Sequence, residues 1–249
     1  MDEQEVDSVQ AIFIRYEKKY LISRSQYETF LPRLLENMQP ASPGQYLVQN
    51  LYYDTEQFDN IRVSVEKPVY KEKLRLRRYG DPGGPNPIFL ELKKKFKGVV
   101  YKRRILLPCG EPPPAGVRSA VAREDSQIAR EIGCFLALYP VSEKIHISYE
   151  RRAFTGLEDP GLRVTFDTDI RFRLSELSFT GKTPGTSILP PEQMLMEVKT
   201  PRAIPLWLSR LLCGAGVFPR SFSKYGIWYT EFFLKSPHPP GRKEMTASA

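Results

Sequence analysis

Residues Val69–Leu107, VYKEKLRLRRYGDPGGPNPIFLELKKKFKGVVYKRRILL, interleave charge with apolar side chains. In Glu72–Arg78, Lys73, Arg75 and Arg77 alternate with Leu74 and Leu76; in Ile88–Lys95, Glu91, Lys93 and Lys95 alternate with Leu90 and Leu92. Side chains at i and i+2 share a strand face, so each segment is expected to be a strand with one charged and one apolar side. Val100–Leu107 sets Lys102 and Arg104 against Tyr101, Arg103, Ile105 and Leu107, a less clean division. The Gly/Pro/Asn cluster Asp81–Pro87 and the pair Lys97–Gly98 supply the turns between them.

The same pattern recurs outward from this stretch. Ala11–Leu21 alternates Ile12, Ile14 and Tyr16 with Arg15, Glu17 and Lys19, and Ser23 then opens a helix with Gln26 as its capping-box partner. Gln45–Asp54 reads as a strand and Thr55–Lys67 as a short helix or loop. Pro108–Gly116 is a loop, and Ser126–Leu138 a helix with Ile128, Ile132, Phe135 and Leu136 on one side. Lys144–Phe154 and Gly161–Asp169 form a hairpin-like pair, the second placing Arg163, Thr165, Asp167 and Asp169 opposite Leu162, Val164 and Phe166. Gln193–Thr200 sets Leu195, Glu197 and Lys199 against Met194, Met196 and Val198. Helices are expected over Ile204–Leu212 and Ser221–Leu234, covering apolar sheet surface.

A formal net charge of +8 over 249 residues favours an anionic partner without choosing which. Cys109, Cys134 and Cys213 are odd in number and widely spaced, which argues against a disulfide framework or a zinc site. The first ten residues, MDEQEVDSVQ, lack the apolar region of a signal peptide, and no apolar run reaches the roughly 20 residues of a bilayer span. A cytoplasmic location is expected. Residues 1–10 are read as an acidic extension, 11–234 as one domain, and 235–249 as a disordered tail.

A sheet with its charged face in water is the common arrangement for any single strand of this kind. Taken jointly, the inward positions are mostly cationic: Arg15, Lys19, Lys73, Arg75, Arg77, Lys93, Lys95, Lys102, Arg104, Arg163 and Lys199, with Glu17, Glu91, Asp167 and Glu197 among them. Facing like charges repel by about 0.2–1 kcal/mol per cross-strand pair, and by more where a curled sheet excludes water. Such a face needs an anion. The expected fold class is α+β: an antiparallel β-barrel tunnel of about eight strands with helices on the outside, holding a linear run of phosphates.

Arg15-x-Glu17-x-Lys19-Tyr20, Tyr52-Tyr53-Asp54-Thr55, Lys73-Leu74-Arg75-Leu76-Arg77, Glu91-Leu92-Lys93 and Tyr101-Lys102-Arg103-Arg104 occur in that order. Tyr149-Glu150-Arg151-Arg152-Ala153-Phe154, Arg163-Val164-Thr165-Phe166-Asp167-Thr168, Glu197-Val198-Lys199 and Ser223-Lys224-Tyr225 follow. Together they resemble the catalytic domain of the vacuolar transporter chaperone family, the polyphosphate polymerases among the triphosphate tunnel metalloenzymes. The resemblance runs from about Ile12 to Tyr229. It implies transfer of the terminal phosphate of ATP to a polyphosphate chain, with Mn²⁺ or Mg²⁺. Lys19, Arg75, Arg77, Lys93, Lys102, Arg151, Arg163, Lys199 and Lys224 would bind phosphate, with Arg104 from the same charged face. Arg75, Arg77, Lys93 and Arg163 would clamp the transferred group, and Glu197 would hold the metal, with Glu17 or Asp167 as second candidate.

Tunnel hydrolases begin with E-x-E-x-K, and Arg15 stands at the first glutamate position; a carboxylate exchanged for a phosphate ligand favours the polymerase branch. Alternation groups Arg151 with Ile145, Ile147 and Tyr149, so either a bulge or Arg152 must resolve which arginine faces inward. His146 and His238 are read as a strand and a tail residue. A tripolyphosphatase or nucleoside triphosphatase on the same scaffold is the nearest rival; a non-catalytic polyphosphate- or RNA-binding module is the rival of another class. Nucleic acid is disfavoured because the aromatics fall on helices and not among the basic strand positions. Eukaryotic relatives attach membrane helices to this domain, so this chain is expected to act either as a free domain or through a separate membrane-protein partner.

Overall fold

The computed structural model describes residues 16–80, 86–97, 99–107 and 116–236. Arg15, the first half of the strand expected from Ala11, residues 81–85, the proline-rich loop with Cys109, His238 and most of the expected tail lie outside the described residues. In chain order the elements are β1 (Tyr16–Ser23), α1 (Arg24–Leu35), β2 (Met38–Asp54), α2 (Asp59–Val65), β3 (Tyr70–Tyr79), β4 (Ile88–Phe96), β5 (Val99–Leu107), α3 (Gly116–Ala122) and α4 (Gln127–Leu138). Then follow β6 (Ser142–Gly156), β7 (Arg163–Arg173), the two-residue β8 (Thr186–Ser187), β9 (Gln193–Thr200), α5 (Leu206–Gly214), α6 (Lys224–Ile227) and a π-helical turn, Trp228–Phe233.

One antiparallel sheet runs in the order β1-β9-β7-β6-β2-β3-β4-β5, with β8 added beside β7. It curls into a half-barrel whose edge strands, β1 and β5, do not pair with each other among the described residues. The fold is α+β, as expected. No helix of the described residues is long and apolar enough to cross a membrane.

The alternation of β3, β4 and β5 sorts by register. Lys73 lies opposite Lys93, Arg75 opposite Glu91, and Lys93 opposite Lys102, so these side chains share the concave face. Leu74, Leu76, Leu90, Leu92 and Ile105 turn to the convex face and are buried under α3 and α4. Of the two residues that could cap helix α4, Asp125 and Ser126, the structure uses Ser126, whose hydroxyl accepts from the Ala129 N–H. On the other half of the sheet, Tyr20, Ile22, Val164, Phe166, Met196 and Val198 are buried under α1 and α5. Helix α1 carries the full capping box, Ser23 Oγ accepting from Gln26 N and Gln26 Oε1 from Ser23 N.

A third core lies on the concave side. Val48, Tyr52, Ile145, Ile147 and Leu195 meet Phe58 and Ile61 of the α2 segment and Tyr225, Trp228 and Tyr229 of the C-terminal helix. Helices thus pack on the outside as expected, and two further ones fill one end of the trough. Asp54 fixes both of them: its carboxylate accepts from the N–H groups of Thr55, Asn60 and Ile61 and from the Tyr225 hydroxyl.

Strand β7 serves both ends of this trough through a bulge. Glu150 pairs with Thr168 but Ser148 with Arg171, so β7 carries one extra residue there, and Asp169 takes φ 47°. Before the bulge Arg163, Thr165 and Asp167 face the trough; after it Ile170 and Phe172 do, against the C-terminal helix. Leu92 has no exposed surface on the convex side. Leu92→Ala is expected to cost about 2–5 kcal/mol, read as a lower urea midpoint at unchanged slope; a loss below about 1 kcal/mol would contradict the packing described.

Candidate active site

The concave face carries its charge in three carboxylate-centred groups. Glu91 has no exposed surface. Its Oε2 accepts from Arg75 Nε and Nη2 at 2.9 and 2.7 Å, Arg77 Nε lies at 3.8 Å, and Lys102 Nζ contacts the other carboxylate oxygen. Burial would raise the Glu91 carboxyl, but Arg77, Arg75 and Lys102 hold it far below the usual carboxylate range. The remaining edges of the two guanidinium groups are positioned by neutral partners. Arg75 Nη1 donates to the Tyr52 hydroxyl at 3.0 Å, and Arg77 donates to Asn50 Oδ1 at 2.8 Å and to the Tyr149 hydroxyl at 3.3 Å.

Asp167, also without exposed surface, accepts a bidentate pair from Arg151 at 2.6 and 2.8 Å and a bond from Lys224 Nζ at 2.6 Å. Glu197 sits among Lys199 at 3.0 Å, Lys19 and Arg151 at 3.6 Å and Lys224 at 3.7 Å. Burial opposes its ionisation; Lys199, Lys19, Lys224 and Arg151 reverse that and keep its carboxyl well below the ordinary value. Glu17 reaches Lys19 at 3.3 Å, and despite burial Lys93 and Lys19 bring its carboxyl down to about 2.

Most of these cations, with Glu17 and Glu197, line a cavity of about 780 Å³, and Glu91 and Asp167 are not among its lining residues. Its walls carry Lys18, Lys19, Lys67, Lys71, Lys73, Arg75, Arg77, Lys93, Lys95, Arg151, Lys199, Arg220 and Lys224 against two carboxylates, Glu17 and Glu197. The excess of cations perturbs the ionisation of several groups in the cavity. Burial, Lys71 and Lys93 pull the Lys73 ammonium down to about 7. Glu17 raises Lys93, yet burial together with Lys19 and Arg75 brings it down to about 8. Burial raises the Tyr149 hydroxyl, but Arg77, Arg151 and Lys224 bring it down to about 8.

Of the residues singled out from the sequence, Lys19, Arg75, Arg77, Lys93, Arg151, Lys199, Lys224, Glu17 and Glu197 line the cavity. Lys102, Arg104 and Arg163 are not among its lining residues: Lys102 contacts Glu91 from behind, Arg104 lies over the Phe89 ring at 4.9 Å, and Arg163 lies opposite Lys199, half-buried. Arg151 faces inward and Arg152 outward, where it donates to the Tyr27 hydroxyl. No bulge in β6 is needed for this. Ile145, Ile147, Tyr149 and Arg151 share the concave face, whose apolar end is covered by the C-terminal helix.

The alternation on β3 points to Lys73, but the motif-based set of phosphate ligands leaves it out. Tyr52 and Tyr149 stood in quoted motifs and proved to be hydrogen-bond partners of the arginines; Asn50, two residues before Tyr52 on the same face, was legible only by strand parity. Lys67, Lys71 and Arg220 carry no signal beyond their charge. Among the described residues no group of three or more His, Cys, Asp or Glu side chains is placed to hold a metal ion.

A curled antiparallel sheet whose concave face presents carboxylate-anchored arginines and lysines to one cavity defines an anion-binding trough. The chain belongs to the VTC-domain family, whose sequence model matches residues 14–233. No curated protein matches the sequence. Among solved structures, a putative adenylyl cyclase from Hippeastrum, described as having a dominant triphosphatase activity, aligns at TM-score 0.50 and 16% identity over 87% of this chain and 95% of its own. A putative adenylate cyclase from Vibrio parahaemolyticus aligns at TM-score 0.45 and 12% identity over 86% and 97%. The Schizosaccharomyces pombe Mediator head module contains a chain aligning at 0.43 and 11% over 88% and 96%.

Glu91→Gln leaves Arg75, Arg77 and Lys102 without their buried countercharge and is expected to cost about 3–5 kcal/mol at pH 7 by urea denaturation. Because the folded carboxyl titrates below its unfolded value, the stabilisation is present above about pH 4 and lost as pH falls further. The Glu91→Gln protein is therefore expected to show a flatter stability profile below pH 4; an unchanged profile would remove Glu91 as its source.

Proposed function

We propose that this chain is a polyphosphate polymerase that moves the terminal phosphoryl group of ATP onto the end of a polyphosphate chain. The observation that carries the reading is the cavity itself, with its large excess of cations and its arginines held by fully buried carboxylates. A phosphate oxygen at the chain end attacks the γ-phosphorus, the bond from the β–γ bridging oxygen to that phosphorus breaks, and ADP leaves. A terminal phosphate is already ionised near neutral pH, so neither a protein nucleophile nor a general base is required, in accord with a cavity whose described lining residues include no histidine.

Arg75 and Arg77 stabilise the charge that spreads over the transferred group's equatorial oxygens. Their orientation is set in advance by Glu91, Tyr52, Asn50 and Tyr149, so little reorganisation accompanies reaction. Lys93, Arg151, Lys199 and Lys224 complete the cradle, and Arg163 supports it from beside Lys199. Glu17 and Glu197, two hard oxygen donors in the cavity, fit Mg²⁺ or Mn²⁺ that is bound jointly with substrate phosphates, the usual mode for such ions. When bound, the ion supplies further neutralisation of phosphate charge.

Incubation with ATP and Mn²⁺ is expected to yield long-chain polyphosphate, resolved on a gel, with ADP released in step. Orthophosphate as the sole product would assign the site to hydrolysis, as in the Hippeastrum protein; no turnover with any divalent ion would leave a binding module. Arg75→Ala is expected to lower ATP turnover by about 10²–10³-fold, measured as ADP release. Glu197→Gln is expected to raise the metal concentration needed for half-maximal rate, and an unshifted metal titration would remove it as a metal ligand.

A further inference from the structure

The cavity is electrostatically divided, and the division assigns a place to the acceptor chain. Around Glu91, Asp167 and Glu197 each cation has a carboxylate at ion-pair distance. Toward the start of β3 and the end of β4 the pattern changes. Lys71 lies opposite Lys95 and Lys73 opposite Lys93, with Lys67 close by, and among the described residues no carboxylate lies within ion-pair distance of Lys71, Lys73 or Lys95. Lys71 Nζ donates to the Ser64 carbonyl at 2.8 Å and Lys73 Nζ to Ser223 Oγ at 3.1 Å, both neutral partners. Lysines in register across two strands with no countercharge repel one another, most strongly at Lys73, which lies deeper than the exposed Lys95.

Six residues of β3 separate Lys71 from Arg77, about 20 Å along the strand. That is longer than three linked phosphates reach, so a triphosphate gripped by Arg75 and Arg77 leaves Lys71 and, opposite it, Lys95 uncompensated. A linear polyphosphate chain spans it. Resting on the polymerase reading, we propose that Lys71, Lys73 and Lys95 form the subsite for the internal phosphates of the acceptor chain, and that occupation of this subsite loads a proton onto Lys73.

Lys73 faces Lys71 and Arg75 on its own strand, Lys93 and Lys95 on β4, Lys19 on β1, and Ser223 and the Tyr225 ring at 5.9 Å from the C-terminal segment. The charged groups that act on it most strongly, Lys71, Lys93, Lys19 and Arg75, are positive, and Glu17 and Glu197, which act on Lys93 and Lys19, make no ion pair with Lys73 among the described residues. With the ammonium brought down to about 7 by burial and these neighbours, Lys73 is largely neutral at pH 8 and protonated at pH 6. A phosphate chain alongside reverses the sign of its surroundings and restores the charge. Binding at pH 8 therefore takes up about one proton at Lys73, and binding at pH 6 takes up none there.

The test is calorimetric titration of the full chain with long-chain polyphosphate, without nucleotide, in buffers of different ionisation enthalpy at pH 6 and pH 8. The wild type is expected to take up about one proton more at pH 8 than Lys73→Arg, which keeps the charge permanently, while binding at least as tightly. Equal uptake by both proteins overturns the protonation. Lys71→Ala combined with Lys95→Ala is expected to weaken long-chain polyphosphate about tenfold more than tripolyphosphate; equal weakening of the two overturns the subsite. Neither readout involves ATP turnover, so a failure of the polymerase assay and a failure here are distinguishable.

Discussion

A buried excess of positive charge is the constraint that the rest of this molecule accommodates. Unit charges of one sign a few ångströms apart in a partly dry cavity repel by several kcal/mol even at a generous effective dielectric, and net protein stability is only about 5–15 kcal/mol. The chain manages this with Glu91 and Asp167, fully buried and each shared by two or more cations. These carboxylates sit behind the arginines. They offset the repulsion within the half-barrel and at the same time fix the guanidinium groups in the cavity wall. Stability and preorganisation here have one source, which is why the same residues matter to both.

The C-terminal segment is bound into that arrangement. Asp54 ties the start of α2 to Tyr225, and Lys224, next in sequence, reaches Asp167 across the trough. The aromatic cluster of Trp228, Tyr229 and Phe233 against Phe58 closes the apolar end. A segment that reads locally as an ordinary amphipathic helix thus contributes a lysine to the site, a serine partner to Lys73 and a plug to the barrel.

The sequence made legible whatever obeys a local period. The strand faces of β3, β4 and β9, the capping box at Ser23 and the cap at Ser126 depend on neighbours two to four residues away, and the structure agrees with each. What depended on distant contacts was not visible. Strand β2 extends back to Met38 through Pro40 and Pro43, beyond the expected start at Gln45, because an irregularity in its pairing with β6 accommodates those positions. Helix α3 lies past a run of prolines and has only seven residues, too few for a periodic signal. The C-terminal helix begins at Lys224 and not Ser221, and it widens into a π-helical turn after Ile227. Among cavity residues, ordered motifs contained many of the charged ones but not Lys67, Lys71 or Arg220; that Asn50, Tyr52 and Tyr149 aim the arginines required the fold.

The extra residue in β7 carries a consequence for how this chain tolerates change. One continuous strand faces the phosphate-binding half of the trough with odd-numbered residues and the aromatic half with even-numbered ones, and Asp169 is where parity switches. Removing a single residue there would turn Ile170 and Phe172 out to solvent, or Arg163 and Asp167 out of the cavity. Length variation in this strand is therefore restricted to steps of two, and the left-handed residue works as a phase marker that keeps two chemically opposite interiors on one sheet.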